Sequence, residues 1–82
     1  MKREDILKKM EEIFVDVLDL DEIELNEDTT ADDIDEWDSL SHIQLIVAIE
    51  KGFGIKLTAR EVKELADVGE MVSCIQNKLK NI

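Results

Sequence analysis

Apolar residues in this chain recur at steps of three and four positions, and no proline interrupts any segment in which they do so. That spacing places them on one face of an α-helix, whereas a half-buried strand needs strict alternation. The sequence therefore predicts an all-α fold with little support for strands. The first helix carries this pattern through Ile6, Leu7, Met10, Ile13, Phe14, Val17 and Leu18.

Three further helices are predicted after a long connection. The second begins at Asp38 or Ser39, where Asp38 can cap the free amides, and runs to Lys51 before Gly52 and Gly54 stop it. Thr58 and Glu61 form a capping box in front of a short third helix. Asp67 and Glu70 repeat that device before the final helix, whose last turn contains Lys78 and Lys80.

The connection between the first two helices, "DEIELNEDTTADDIDEWD", lacks helical periodicity and is rich in turn formers. A loop of this length in a small domain needs apolar anchors, and we expect Ile23, Leu25, Ile34 and Trp37 to pin it to the bundle. The prediction is one domain over residues 1–82: three main helices and one short helix, with the long loop between helices one and two.

Charge and length limit the functions that this chain can perform. Twenty-one acidic residues against ten basic ones give a net charge of −11, which disfavours nucleic acid as a partner. No Lys or Arg occurs between Lys9 and Lys51, while fifteen Asp or Glu do, so partners of this surface should be basic. Eighty-two residues are also too few for an enclosed active site between domains.

Neither a membrane segment nor a disulfide is predicted. The opening "MKREDILKKM" is too charged for a signal peptide, and no later apolar run is long enough to span a bilayer, so we expect a cytoplasmic protein without membrane insertion. Cys74 is the only cysteine, and its neighbours Val72, Ile75 and Leu79 favour a buried packing role over a reactive thiol.

The second helix has two apolar stripes when its residues are placed at 100° intervals. A small bundle normally buries one stripe of a helix, so either this helix is central and buried on two sides, or one stripe faces outward to dock a partner. The first stripe contains His42, Leu45, Ile46, Ile49 and Phe53, and the second contains Leu40, Ile43 and Val47.

Ser39 lies at the start of this helix, where a serine can have three roles. The commonest is a capping or first-turn residue. A catalytic nucleophile would need a base, an orienting acid and an oxyanion hole, and around Ser39 the sequence offers only His42 and no G-x-S-x-G elbow. The third role is attachment of a phosphate diester, whose negative charge the helix N-terminus favours. No calcium-loop pattern is present, and no metal site is predicted.

The stretch "DSLSHIQLIVAIEKGFGIKL" resembles the second helix and following loop of an acyl carrier protein. The D-S-L triplet, the phenylalanine at position 53, the long preceding loop, the acidity and the length all fit that family. The resemblance implies that Ser39 carries 4′-phosphopantetheine and that Asp38 assists recognition by a phosphopantetheinyl transferase. The chain would then be a carrier and not an enzyme: it would hold acyl groups as thioesters and present them in turn to partner enzymes with basic docking patches. We expect it to be a monomer.

The same resemblance assigns roles to the two stripes of the second helix. Leu40, Ile43 and Val47 would form the partner-docking stripe, and Glu50 would meet basic partners. An acyl chain would enter a core cleft with His42 near its mouth. The residues of that cleft would be His42, Leu45, Ile46, Ile49, Leu57, Val62 and Leu65.

Three positions depart from the fatty-acid carriers of that family. Trp37 directly precedes Asp38, where we expect it to anchor the loop, and Ser41 and Gln44 stand where acids are common. These departures leave the cargo open among fatty-acid, polyketide and related lipid intermediates. The alternatives are an aminoacyl carrier of the D-alanyl type and an acidic helical interaction module without the arm.

Overall fold

The computed structural model describes residues 2–80 and has four α-helices in that range. They are α1 (Arg3–Leu18), α2 (Ser39–Phe53), α3 (Ala59–Glu64) and α4 (Val68–Lys80), and a short 3-10 helix spans Ala31–Asp33. Within residues 2–80 no strand is present, so the prediction of an all-α bundle with one short helix and a long first connection is confirmed. No helix in this range is both long and apolar enough to cross a membrane.

One apolar core lies between the helices, and α1 packs against both α2 and α4. Each of these three helices buries an apolar face that its three- and four-residue spacing defines. From α1 the core receives Ile6, Met10, Phe14 and Leu18; from α2, Leu45, Ile46, Ile49 and Phe53; and from α4, Val68, Met71, Val72 and Ile75.

The long acidic loop is held against this core by its apolar residues, as the sequence predicts. Leu25 and Trp37 are buried, and Ile23 and Ile34 are partly buried against the same cluster. The Leu25 backbone N–H also donates to the Glu11 carboxylate at 2.8 Å. The loop is therefore fixed where it delivers the chain to α2.

The middle of the loop also caps α4. Two backbone N–H groups at the start of α4, those of Val68 and Gly69, donate to the carbonyl oxygens of Thr29 and Glu27, both at 2.8 Å. A side chain at Gly69 would not fit, because its Cβ would lie 2.7 Å from the Glu27 carbonyl oxygen. Arg3 reinforces the contact by pairing with the Glu27 carboxylate.

Two details at helix ends differ from the sequence predictions. Gly52 lies inside α2, and Gly54 alone ends that helix in a left-handed conformation with φ 67°. A glycine at position 52 leaves room for Ile13 of α1, whose Cδ1 would lie 3.0 Å from a Cβ at that position. At α4 the Asp67 carboxylate accepts the Glu70 N–H at 2.8 Å, as predicted, but the Glu70 carboxylate turns to the Ala66 N–H instead of completing a box.

The prediction that Cys74 is a buried packing residue is wrong. Cys74 is only half-buried and borders a cavity, with its Sγ 3.7 Å from a Glu61 carboxylate oxygen. The neighbours Val72 and Ile75 do point into the core, and Cys74 falls on the adjacent face of α4. Burial, followed by the nearby Glu61 charge, raises the pKa of this thiol.

Candidate functional site

The start of α2 is organised by reciprocal hydrogen bonds between Asp38 and Ser41. The Asp38 carboxylate accepts the Ser41 backbone N–H at 2.9 Å, and the Ser41 hydroxyl accepts the Asp38 N–H at 2.8 Å. The bond from the Ser41 N–H, followed by an interaction with the Ser41 side chain, holds the pKa of Asp38 below its usual value. The predicted capping role of Asp38 is confirmed, and the helix start is rigidly defined.

Ser39 is the first residue of α2 and is exposed. Its hydroxyl makes no hydrogen bond to any other group within residues 2–80, because the capping work at this end is done by Asp38 and Ser41. Ser39 is therefore not the capping residue. Its hydroxyl is free to react with a group brought to it from solvent.

Trp37 is buried directly before the cap. Its ring meets Phe14 of α1 edge to face, with centroids 5.0 Å apart, which confirms that it anchors the loop to the core. Its indole N–H donates to Nδ1 of His42 at 3.0 Å, and the two rings stack with centroids 5.9 Å apart. A buried indole N–H thus finds its partner on the first turns of α2.

A cavity of about 510 Å³ opens beside Ser39. Its wall combines polar groups from the start of α2 with apolar groups from the segment between α3 and α4. A group attached to the Ser39 hydroxyl has space here next to the helix N-terminus. The lining residues are Ala31, Trp37, Asp38, Ser39, His42, Leu65 and Ala66.

The two apolar stripes of α2 have opposite environments. Leu45, Ile46 and Ile49 are buried, with exposed fractions of 0%, 6% and 0%. Leu40, Ile43 and Val47 are exposed, with fractions of 70%, 63% and 43%. The helix is therefore not buried on two sides: one of its apolar stripes lies in the core and the other faces outward.

The residues expected to line an acyl cleft are only partly brought together. Of the seven, His42 and Leu65 line the cavity beside Ser39. Leu45, Ile46 and Ile49 lie in the core, and Leu57 and Val62 pack partly buried against it.

Glu50 has a structural contact that the sequence does not reveal. It is half-buried, and its carboxylate accepts the backbone N–H of Leu57 at 2.8 Å. One of its oxygens therefore holds the connection between α2 and α3. This contact leaves Glu50 with less capacity to bind a partner than an exposed glutamate would have.

A second cavity, about 640 Å³, lies between the acidic loop, α3 and α4. Arg3 borders it together with acidic residues that include Glu61. Glu61 accepts the Thr58 backbone N–H at 2.9 Å and pairs with Lys78 at 2.9 Å, and these two bonds, in that order, lower its pKa to about 2. Among the described residues no group of three or more His, Cys, Asp or Glu side chains is arranged to hold a metal ion.

Two features of the site were missed by sequence reasoning. Ser41 was seen only as a neutral replacement for an acid, although Asp-x-x-Ser has the spacing of a capping box. The bond between Trp37 and His42 was not foreseen, because it joins a loop residue to a helix residue whose relative placement depends on the packing of Trp37 on α1. A buried tryptophan N–H in search of an acceptor was the one available signal.

Comparison with known proteins agrees with this site. Residues 8–75 match the family model described as a phosphopantetheine attachment site. The acyl carrier protein of Rubrobacter xylanophilus is 35% identical over 92% of this chain and 93% of its own. The acyl carrier protein of Acidothermus cellulolyticus is 36% identical over 94% and 92% respectively.

A solved structure has the same fold. The solution structure of a holo acyl carrier protein from Geobacter metallireducens superimposes with a TM-score of 0.86 and is 41% identical. The similarity covers 93% of this chain and 87% of that one. The residues matched by the family model, 8–75, include the loop, α2 and the segment that follows it.

Proposed function

The chain belongs to the acyl carrier protein family, and we propose that Ser39 is the residue to which its cofactor is attached. Members of this family are carriers and not enzymes. Their cofactor is 4′-phosphopantetheine, a flexible arm. The observation that carries the proposal is the free, exposed Ser39 hydroxyl at the first position of α2, beside a cavity of about 510 Å³. The match to the attachment-site family favours this carrier role over an interaction module without the arm.

The helix start suits a phosphodiester. Free amides and the positive end of the helix dipole favour a negative charge here by about 0.3 to 1 kcal/mol at an exposed site. Asp38 has its carboxylate committed to the Ser41 N–H, so its side chain has a defined orientation at the surface next to Ser39. We assign Asp38 to recognition by a phosphopantetheinyl transferase, since a fixed carboxylate can be read by a basic partner.

The chemistry that the arm supplies when bound is a terminal thiol, which holds an acyl group as a thioester. The protein's own part is to present Ser39 on a rigid helix start and to offer a surface that partner enzymes recognise. The cytoplasm is the compartment we propose, since thiols are kept reduced there. We propose that the carrier acts as a monomer.

Partner enzymes dock, in this proposal, on the exposed stripe of α2. Leu40, Ile43 and Val47 offer apolar area on the same helix as Ser39, and acidic loop residues precede it in the chain. An apolar centre with acidic surroundings fits a basic partner surface with an apolar pocket. Glu50 contributes through whichever carboxylate oxygen is not held by the Leu57 N–H.

Acyl cargo is proposed to enter past His42 and Leu65, which already border the cavity at Ser39. A longer chain would have to separate the packed side chains of Leu45, Ile46, Ile49, Leu57 and Val62. Burial of its methylene groups would offset this opening by about 0.8 kcal/mol per CH₂. Fatty-acid, polyketide and related lipid intermediates fit this description, and a small aminoacyl cargo would need only the cavity itself.

Incubation with coenzyme A and a phosphopantetheinyl transferase tests the attachment. Intact-mass spectra should show one arm on the wild type and on Ser73→Ala, a control that removes a serine of α4 outside the cavity beside Ser39. Ser39→Ala should remain unmodified. An unmodified wild type, or a modified Ser39→Ala, would contradict the proposal. Mass spectrometry of the carrier purified from its native cells would then identify the cargo class.

A further inference from the structure

The pair formed by Trp37 and His42 lies beside Ser39, and neither attachment nor docking makes use of it. Trp37 donates its indole N–H to Nδ1 of His42 at 3.0 Å. Both residues line the cavity that Ser39 opens into. Loop anchoring explains the burial of Trp37 against Phe14, but it does not explain why its polar edge faces an imidazole.

The bond from Trp37 selects one form of the His42 ring. A neutral imidazole has one N–H donor and one acceptor nitrogen. Because Nδ1 accepts the indole N–H, the proton of the neutral ring is carried on Nε2. His42 therefore offers an N–H donor at the end of its ring that Trp37 does not occupy.

Helix geometry directs His42 towards Ser39. Residues three apart are neighbours on a helix surface, with Cβ atoms about 5 to 6 Å apart. Helical side chains lean towards the N-terminus, so the His42 ring extends back over the first turn of α2. Its bond to Trp37, which precedes the helix, and its place in the wall of the Ser39 cavity agree with this direction.

No other side chain of the cavity has a spare N–H donor. The Trp37 N–H is already bound to His42, and Asp38 is a carboxylate. The remaining lining residues apart from Ser39 are apolar: Ala31, Leu65 and Ala66. The sequence also contains no Lys or Arg between Lys9 and Lys51. A phosphodiester on Ser39 would lie next to the Asp38 charge, and His42 is the one side chain in the wall that can add to the free amides of the helix start in offsetting that repulsion.

We infer that His42 is a positioning residue for the arm: its Nε2–H donates a hydrogen bond to a phosphate oxygen of the phosphopantetheine on Ser39, and Trp37 holds the ring in the form that can do so. The inference rests on the proposed attachment at Ser39. The bond fixes the root of the arm and thereby the direction in which cargo leaves the helix.

Three substitutions separate the two ends of the His42 ring. In His42→Asn the amide group lies near the Nδ1 position, so it keeps an acceptor for Trp37 and loses the donor to the phosphate. In His42→Gln the amide reaches the Nε2 position, so it keeps that donor and loses the acceptor for Trp37. Trp37→Phe keeps the aromatic packing on Phe14 and removes the N–H that selects the ring form.

Phosphorus NMR of the loaded carrier gives the readout. Intact mass first establishes that each variant carries one arm, and circular dichroism that each is folded. The phosphodiester signal, and the separation of the two methyl signals of the arm next to the phosphate, should change in His42→Asn, remain close to wild type in His42→Gln, and change partially in Trp37→Phe. In the wild type, proton–nitrogen spectra should show the Nε2–H of His42 moving downfield when the arm is added.

The outcomes distinguish this inference from the proposed function. An unmodified wild type would overturn both. A modified wild type whose phosphorus and methyl signals are unaltered in His42→Asn would overturn the positioning role alone. If a variant failed to fold, the wild-type measurement would still decide, because an Nε2–H signal identical with and without the arm would also overturn the positioning role.

Discussion

Different side chains at the start of α2 cap the helix, anchor it to α1 and supply the proposed attachment site. Asp38 and Ser41 satisfy the helix end, Trp37 ties that end to α1, and Ser39 keeps a hydroxyl that forms no hydrogen bond to another group within residues 2–80. The division depends on position: a serine one place before the helix would have been consumed as its cap. The free Ser39 hydroxyl is thus a consequence of its neighbours as much as of its own chemistry.

The lowered pKa of Glu61 ties the stability of the protein to pH. This pKa is lowered from 4.5 to about 2, first by the Thr58 N–H and then by Lys78. A carboxylate whose pKa is lower in the folded state stabilises the protein above its unfolded pKa and loses that effect as the pH falls through its folded pKa. The stabilisation from Glu61 is therefore complete above about pH 4.5 and disappears towards pH 2.

We expect Glu61→Gln to lower the free energy of unfolding at neutral pH, with a difference from wild type that shrinks between pH 4.5 and about 2. Urea unfolding at several pH values measures this difference. Glu64→Gln is the matched control, because Glu64 is an exposed α3 residue that pairs, within residues 2–80, with Arg60 alone, at 3.6 Å. A Glu61→Gln difference that stays constant over this pH range would contradict the linkage.

At the scale of elements, α2 serves two surfaces. One stripe is part of the core that α1, α2 and α4 share, and the other is exposed on the same helix as Ser39. A helix that is apolar on two faces and buried on one retains area for another protein. The acidic loop contributes differently, since it supplies Trp37 to the site and caps α4 through the Thr29 and Glu27 carbonyls.

Ile43 and Ile46 provide a matched test of the two stripes of α2. Ile46→Ala should cost about 2 to 5 kcal/mol of unfolding free energy because it leaves a cavity in the core. Ile43→Ala should change stability by no more than about 0.5 kcal/mol, since its side chain is 63% exposed. Denaturant unfolding measures both values.

The same two variants separate stability from docking. Ile43→Ala should lower kcat/KM for the transferase reaction on Ser39, because it removes apolar area from the proposed contact surface. Folded Ile46→Ala should retain that kcat/KM. Equal losses of stability in the two variants would contradict the assignment of one stripe to the core and the other to the surface. An unchanged transferase reaction in Ile43→Ala would show that the exposed stripe does not dock this partner.

The whole molecule carries a strong excess of negative charge. With a net charge of −11, we expect repulsion among the acids to outweigh the contribution of exposed ion pairs such as Arg60 with Glu64, each of which adds about 0 to 1 kcal/mol. Physiological salt screens these charges over about 8 Å. The compact state is therefore held together by the core against its own electrostatics.

We expect the Tm to rise when sodium chloride is added from low to moderate concentration, because screening weakens repulsion more than it weakens the few ion pairs. Differential scanning calorimetry measures the change. The double variant Asp32→Asn with Asp35→Asn, at two exposed positions between α1 and α2, reduces the negative net charge from −11 to −9 (−11 + 2). Its Tm should rise less with added salt than that of the wild type. A Tm that does not respond to salt would mean that the geometry already relieves the repulsion.

The sequence by itself determined the helical class, the amphipathic faces, the caps at Asp38 and Thr58 and the two stripes of α2, because each depends on spacing within a few residues. Tertiary structure alone decided which stripe is exposed, where Cys74 lies, that Glu50 holds the Leu57 N–H and that Trp37 bonds His42. Those facts depend on how α1, the loop and α4 pack against α2. Local periodicity describes which faces are apolar, but only long-range packing assigns each face a neighbour.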